Sequence, residues 1–329
     1  AFDKRLSYSN SYAGIYAVTE RIKRNAGRVN IAKLHPADDT EPEVSGGYIL
    51  KSDKKDLDNV GFQTSRGTPM WLPGYDNAPN FYFIYPTDAD LSAAQREWVT
   101  NYYELFETPL WAGNYDLTNG YPKYADVDSF VNFWLFNLLM KNSECAFNSQ
   151  FMHKDRNGKL TMGPLWDFDR TAGCAVDSRA DDPRYWDCNQ PWSQWNGFMT
   201  GQWGYRLFKD PDHWQRFIDR WTELRRDRIS NTNIARVITS FSNQLTEAQA
   251  RNFAKWPACA PRATGGYLNG TWAGEINHMH NWMTNRTAWI DGQFLPAPQL
   301  SSTGGLVSAG TNVAISGPSG TALYYSLDG

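Results

Sequence analysis

Hydrophobic and polar positions along the chain predict a mixed first third and a helical remainder. Gly14-Ile15-Tyr16-Ala17-Val18-Thr19-Glu20 and Gly47-Tyr48-Ile49-Leu50-Lys51 are short apolar stretches bounded by glycine and charge, and they read as strands. Residues 66–80, rich in Gly, Pro and Asn, read as loop. Ser92 with Gln95 forms a capping box. Trp98, Tyr102, Leu105 and Phe106 then recur at helical spacing. Asp126 and Asp128 are capping candidates. Asp128 is placed to start a helix over 129–142, and its run from Phe130 to Met140 is apolar nearly all round, so it predicts burial.

A hairpin signal follows. Asn157-Gly158 between apolar flanks suits a two-residue turn. With Arg156 opposite Lys159, an unbulged register places Asn148 opposite Asp167 and Ser149 opposite Trp166. If Trp166-Asp167-Phe168-Asp169 stays extended, Asp167 and Asp169 share a face. From 205 to 291 the pattern is helical. Trp214, Phe217, Ile218, Trp221 and Leu224 form one stripe, and Ile234, Val237, Ile238, Phe241 and Leu245 a second. Thr246 with Gln249 reads as another capping box, and Ile276, Met279, Met283, Trp289 and Ile290 mark a last helix. After Pro296-Ala297-Pro298 the chain turns to Ser, Gly, Thr and alternating apolar residues, a linker followed by a small β module. The order predicts an α+β class.

The 329 residues leave room for about two domains. A net charge of −3 with no run of four or more Lys/Arg makes nucleic acid a poor candidate partner. No apolar run is long enough to span a membrane. The four cysteines lack Cys-x-x-Cys spacing, which argues against zinc, and Cys174 with Cys188 closes a short segment that could be a disulfide. His35, His153, His213, His278 and His280 are scattered and read as surface residues. Asp181-Asp182 reads as a solvated loop or a substrate-facing insert. The chain opens on Ala1-Phe2-Asp3 and stops on a turn signal, so both ends read as cut.

The hairpin register gathers chemistry. Asp167 and Asp169, with Glu144, Asn148 and Ser149 close by, make an all-oxygen cluster. Such donors suit Mg²⁺ or Mn²⁺ with phosphate completing the shell. Paired carboxylates in a chain with 15 Trp also permit a glycoside hydrolase. Capping or solvated charge is the plainer alternative.

These residues carry a family likeness. The runs Gly14 to Arg24 with Arg28 to Ile31, Ser45 to Asp53, Asp126 to Phe130 and Gly158 to Asp169 together resemble the spore coat protein H (CotH) kinase-like family. Arg220 to Arg225, Arg251 to Trp256 and Asn285 to Asp291 fit as well, so the likeness covers about 1–291. It implies an atypical protein-kinase-like fold in which a small β-rich lobe and a larger helical lobe hold ATP between them. A truncated β-sandwich module would follow. The implied domains are 1–291 (kinase-like, its N-terminal part absent), 292–299 (linker) and 300–329, a partial module resembling those of secreted and chitobiase-type proteins.

By position, the resemblance makes Asp167 the Mg²⁺-binding Asp after the hairpin. Glu144 falls where the family has its catalytic-loop Asp, and Ser149 falls where a kinase places its second metal ligand. Asn148 and Asp169 complete the metal set. Lys51 would hold ATP phosphates, with Glu20 as its ion-pair partner. Glu144 is one methylene longer than Asp, Ser149 replaces the usual Asn, and no Gly-x-Gly-x-x-Gly loop precedes Lys51. The implied activity is ATP- and Mg²⁺-dependent phosphoryl transfer to Ser/Thr of a protein by a secreted or cell-surface member. The alternative is a pseudokinase scaffold that contacts surface polysaccharide through its C-terminal module.

Overall fold

The computed structural model describes residues 11–53, 59–66, 81–142, 145, 148–174, 180–186, 202–257, 271–302 and 304–325. An antiparallel sheet is built from β1 (Tyr48–Ser52), β2 (Gly61–Phe62), β3 (Phe81–Tyr85), β4 (Gln150–Lys154) and β5 (Leu160–Met162), in the order β2-β3-β1-β4-β5. Its helices are α1 (Ala93–Trp111), α2 (Val127–Leu139), α3 (Gln202–Leu207), α4 (Pro211–Arg225), α5 (Asn231–Lys255) and α6 (Trp272–Asp291). Mixed helices and a small antiparallel sheet make this an α+β fold. Tyr48 and Leu50 of β1 join one hydrophobic cluster with Phe106 of α1, Leu135 of α2, Phe217 of α4 and Ile290 of α6.

Local signals explain most helix starts. Ser92 accepts from the Gln95 amide, and the Gln95 side chain returns the bond to the Ser92 N–H, so the capping box opens α1. The buried face of α1 runs through Val99, Tyr103, Phe106 and Leu110, while Leu105 of the anticipated stripe is exposed. Asp126, not Asp128, caps α2, because it stands three residues before Ser129 and accepts from that amide. Asp128 lies in the first turn and pairs with Arg216 at 2.9 Å. The apolar α2 run is buried as its all-round pattern requires.

Four expectations are corrected. Residues 14–20 form no strand. The start of that segment is tied instead to the end of α5, where Ile15 N donates to Asn252 Oδ1 and Trp256 Nε1 donates to O of the preceding Ala13. Thr246 starts no helix; its hydroxyl donates back to Ser242 O inside a continuous α5, which buries none of its residues. His213 is fully buried, because it shares the helical face of Phe217, Trp221 and Leu224. Cys174 carries a free thiol, and Cys188, its anticipated disulfide partner, lies outside the described residues. Beyond α6, β6 (Gln299–Leu300) pairs with β7 (Ile315–Ser316), so the ladder begins inside the stretch expected as linker.

Candidate functional site

The β4–β5 hairpin is one residue out of the anticipated register. Lys154 pairs with Leu160 and Met152 with Met162, leaving a five-residue loop from Asp155 to Lys159. The reason is tertiary. Leu160 donates from its amide to Tyr124 O at 2.8 Å and accepts from Asp126 N at 2.9 Å, which fixes β5 from its far side. The loop is also tied elsewhere: Asp155 Oδ1 accepts from Ala32 N, and Asn157 N donates to Ser45 Oγ. Lys154 is buried at this end of β4. Its ammonium donates to Ser45 O and Asp155 O and lies over the rings of Trp98 and Tyr102, and burial lowers its pKa to about 8.

At the other end of the same strand the candidate site forms. β5 stops at Met162, Gly163 N still donates to Phe151 O, and Gly163 then turns the chain with φ 114°. Residues 166–169 are not a strand, so Asp167 and Asp169 do not share a face through extended spacing. Asp167 adopts φ 63° and Ser149 φ 56°, both left-handed and unusual for non-glycine residues. These two turns bring them together: Ser149 Oγ donates to Asp167 Oδ2 at 2.9 Å. The sequence reading had set Asn148 opposite Asp167. The structure makes Ser149 the contact and leaves Asn148 buried beside it.

Lys51 belongs to the same end of the sheet. It pairs directly with Phe151, and Ser52 pairs with Gln150, so the last residues of β1 run beside the strand that follows Ser149. Phe151 in turn meets the Trp166 ring edge-on at 6.0 Å between centroids. Lys51, Phe151, Trp166 and Asp167 are thus linked stepwise along one edge. Lys51 faces Asp53 at 3.8 Å. Glu20, the partner expected for Lys51, is instead ion-paired with Arg28. Asp53 was missed by sequence reasoning, although its i, i+2 spacing from Lys51 on an extended segment signals a shared face. Asp169 is exposed two residues past Asp167. Glu144 lies outside the described residues.

The Asp181-Asp182 segment is anchored rather than solvated. Asp182 and Arg184 form a tight ion pair at 2.8 Å that holds the Asp182 carboxyl down at about 2. The Asp182 and Arg184 carbonyls accept from Lys141 Nζ. Cys174 stands nearby, and burial, together with Glu275, Asp181 and Asp169, pushes its thiol pKa up.

The donor set fits a hard cation with phosphate. Asp167 and Ser149 present oxygen together, Asp169 lies two residues on, and Lys51 supplies a cation at the same sheet end. Among the described residues, no group of three or more His, Cys, Asp or Glu could hold a metal by itself. Mg²⁺ does not need one, since it keeps waters and takes phosphate oxygens beside one or two carboxylates. Asn148, the residue before Ser149 and 2% exposed, carries an amide nitrogen without a partner. No described helix is long and apolar enough to cross a membrane. A family model described as CotH kinase protein matches residues 5–290. Among curated proteins, no relative matches.

Proposed function

We propose that this chain, which belongs to the CotH kinase family, is an atypical protein kinase that phosphorylates Ser or Thr of a protein with ATP. The single observation that carries this is the Ser149–Asp167 contact at 2.9 Å, which joins the loop after the buried α2 helix to the Asp that follows the hairpin. That is the order of a kinase catalytic loop and metal-binding Asp. Asp167, with Ser149 and Asp169, would hold Mg²⁺ or Mn²⁺. These residues would thereby bring to the nucleotide a positive charge that offsets the charge of its phosphates. Lys51 would steady the same phosphates. Glu144 would accept the proton of the substrate hydroxyl as its oxygen bonds to the γ-phosphorus and the bond to the β-phosphate oxygen breaks. The two-lobe arrangement, the export of the protein and the sandwich character of the β6–β7 module belong to this reading.

Two substitutions favour a second reading. Glu144 stands where the family has Asp, and a misplacement of about 1 Å can cost on the order of a hundredfold in rate. Ser149 offers a weaker metal ligand than Asn. A pseudokinase that serves as a surface scaffold, with its C-terminal module on polysaccharide, would keep the fold without the transfer.

Calorimetry with ATP, with and without Mg²⁺ or Mn²⁺, tests the site on the wild type and on Asp167→Ala. Metal-dependent binding that disappears in the variant supports it, and no binding in either protein refutes it. Radiolabelled phosphoryl transfer then separates the readings. Incorporation by the wild type establishes a kinase; metal-dependent binding with transfer only after Glu144→Asp establishes the scaffold.

A further inference from the structure

Four amide side chains between 137 and 150 are buried: Asn137, Asn142, Asn148 and Gln150. Three of them place their NH₂ donors. Asn137 Nδ2 donates to Phe133 O at 2.8 Å, Asn142 Nδ2 to Asn137 Oδ1 at 3.0 Å, and Gln150 Nε2 to Cys145 O at 2.6 Å. Asn148 Nδ2 is equally buried and has no acceptor. The loop is therefore able to satisfy amides, and it does so on both sides of Asn148. An orphaned buried donor lowers stability, and native proteins keep few of them.

The chemistry of the orphan decides what it is for. A nitrogen carrying two hydrogens cannot ligate a cation; it complements a lone pair, best of all on an anionic oxygen. Its chain neighbour Ser149 sits on the carboxylate of Asp167, the group proposed to bind the metal. An anionic oxygen adjacent to that metal is a phosphoryl oxygen. We infer that Asn148 acts through its amide nitrogen as a hydrogen-bond donor to a phosphoryl oxygen of the bound nucleotide, and not as a metal ligand through its oxygen. This rests on the nucleotide reading of the site and assigns Asn148 a role opposite in polarity to the one its position in the sequence implied.

Asn148→Asp and Asn148→Leu test it. The first exchanges the donor for an oxygen anion of the same shape; the second removes donor and acceptor at similar volume. If Asn148 donates to phosphate, both variants weaken ATP binding in saturating Mg²⁺ by at least about tenfold, the loss of one hydrogen bond to a charged group. Mn²⁺ binding without nucleotide is then not weakened in Asn148→Leu. Thermal unfolding of nucleotide-free Asn148→Leu occurs at or above the wild-type temperature, because the orphan is gone. A metal ligand predicts the reverse: Asn148→Asp tightens Mn²⁺ and ATP binding, and Asn148→Leu loses Mn²⁺. Either that pattern, or unaltered ATP affinity in both variants, overturns the inference. A wild type that binds no ATP with either metal overturns the nucleotide reading itself, and this inference with it.

Discussion

Two regions on either side of the C-terminal end of α2 treat buried polar groups in opposite ways. Arg286 of α6 is fully buried and donates to Leu138 O, Pro183 O and Tyr185 O, while Lys141 donates to Asp182 O and Arg184 O. These cations bind helix α2, helix α6 and the 180–185 segment together. The site side does the contrary. Ser149 and Asp167 are held in left-handed backbone and touch through one hydrogen bond, and Asn148 keeps a donor open. Lys141 and Tyr185 are also left-handed, so strain alone does not mark a site. What separates the regions is satisfaction. The anchor uses its polar groups internally, and the site holds its own in reserve.

The largest expected effect breaks the anchor. Arg286→Met leaves several buried carbonyls without donors and should cost at least about 3 kcal/mol in urea unfolding, since bonds to charged groups are each worth roughly 1.5–3 kcal/mol. Stability equal to wild type would end the distinction between the two regions. His213 tests the helical side by pH. Burial first, then Arg216, depress its pKa to about 3, so the folded protein holds it neutral. The unfolded chain takes up a proton below about 6.5. Stability from this group is therefore present above that pH and is lost as pH falls toward 3. His213→Phe should flatten the acid limb of a stability–pH curve, and an unchanged limb would contradict the assignment.

Glu107 of α1 lies between the two extremes. One carboxylate oxygen accepts from Trp203 Nε1 at 2.8 Å, and the other is buried beside the Thr64 hydroxyl. Burial, with Glu104, raises its pKa to about 6, against the lowering influence of Thr64, Trp203 and Arg66. Because the folded value lies above the unfolded one, folding favours the protonated form. Its relative contribution is greatest below about pH 4.5 and is lost as pH rises through 6. Glu107→Gln should then stabilise the protein by about 2 kcal/mol at pH 7.5, and the gain should vanish near pH 4.5. Thermal unfolding at the two pH values reads this; a gain at both would point to another cause.

The smallest effect is expected inside the site. Ser149→Gly removes the bond to Asp167 but relieves a φ of 56°. The two changes offset, leaving a shift below about 1 kcal/mol. A loss above about 2 kcal/mol would make the Ser149–Asp167 contact a structural latch, and the contrast with the anchor would fail.

Much of the scaffold was legible. The Ser92–Gln95 box, the all-apolar α2 and the hairpin around Asn157-Gly158 are local signals, and each acts within a few residues. The family runs singled out Asp167, Ser149 and Lys51 by position, and the structure sets Lys51 and Ser149 at the same end of the β1–β4 pair. The details of the site were not legible. The one-residue shift of the hairpin follows from Leu160 pairing with Tyr124 and Asp126, far from the turn that seemed to set it. The second helical stripe is only half core: Ile234 and Ile238 pack against the main cluster, while Phe241, farther along α5, is exposed.

By itself, then, the sequence determined where helices begin, which of them is buried all round and to which family the chain belongs, because caps, periodicity and motif order are properties of neighbouring residues. Only the tertiary structure decided that Ser149 rather than Asn148 meets Asp167, that Asn148 is left with an open donor, and that Arg286 closes the far side. Those outcomes depend on register and on which carbonyls come within reach of which donors, and both are set by partners distant along the chain.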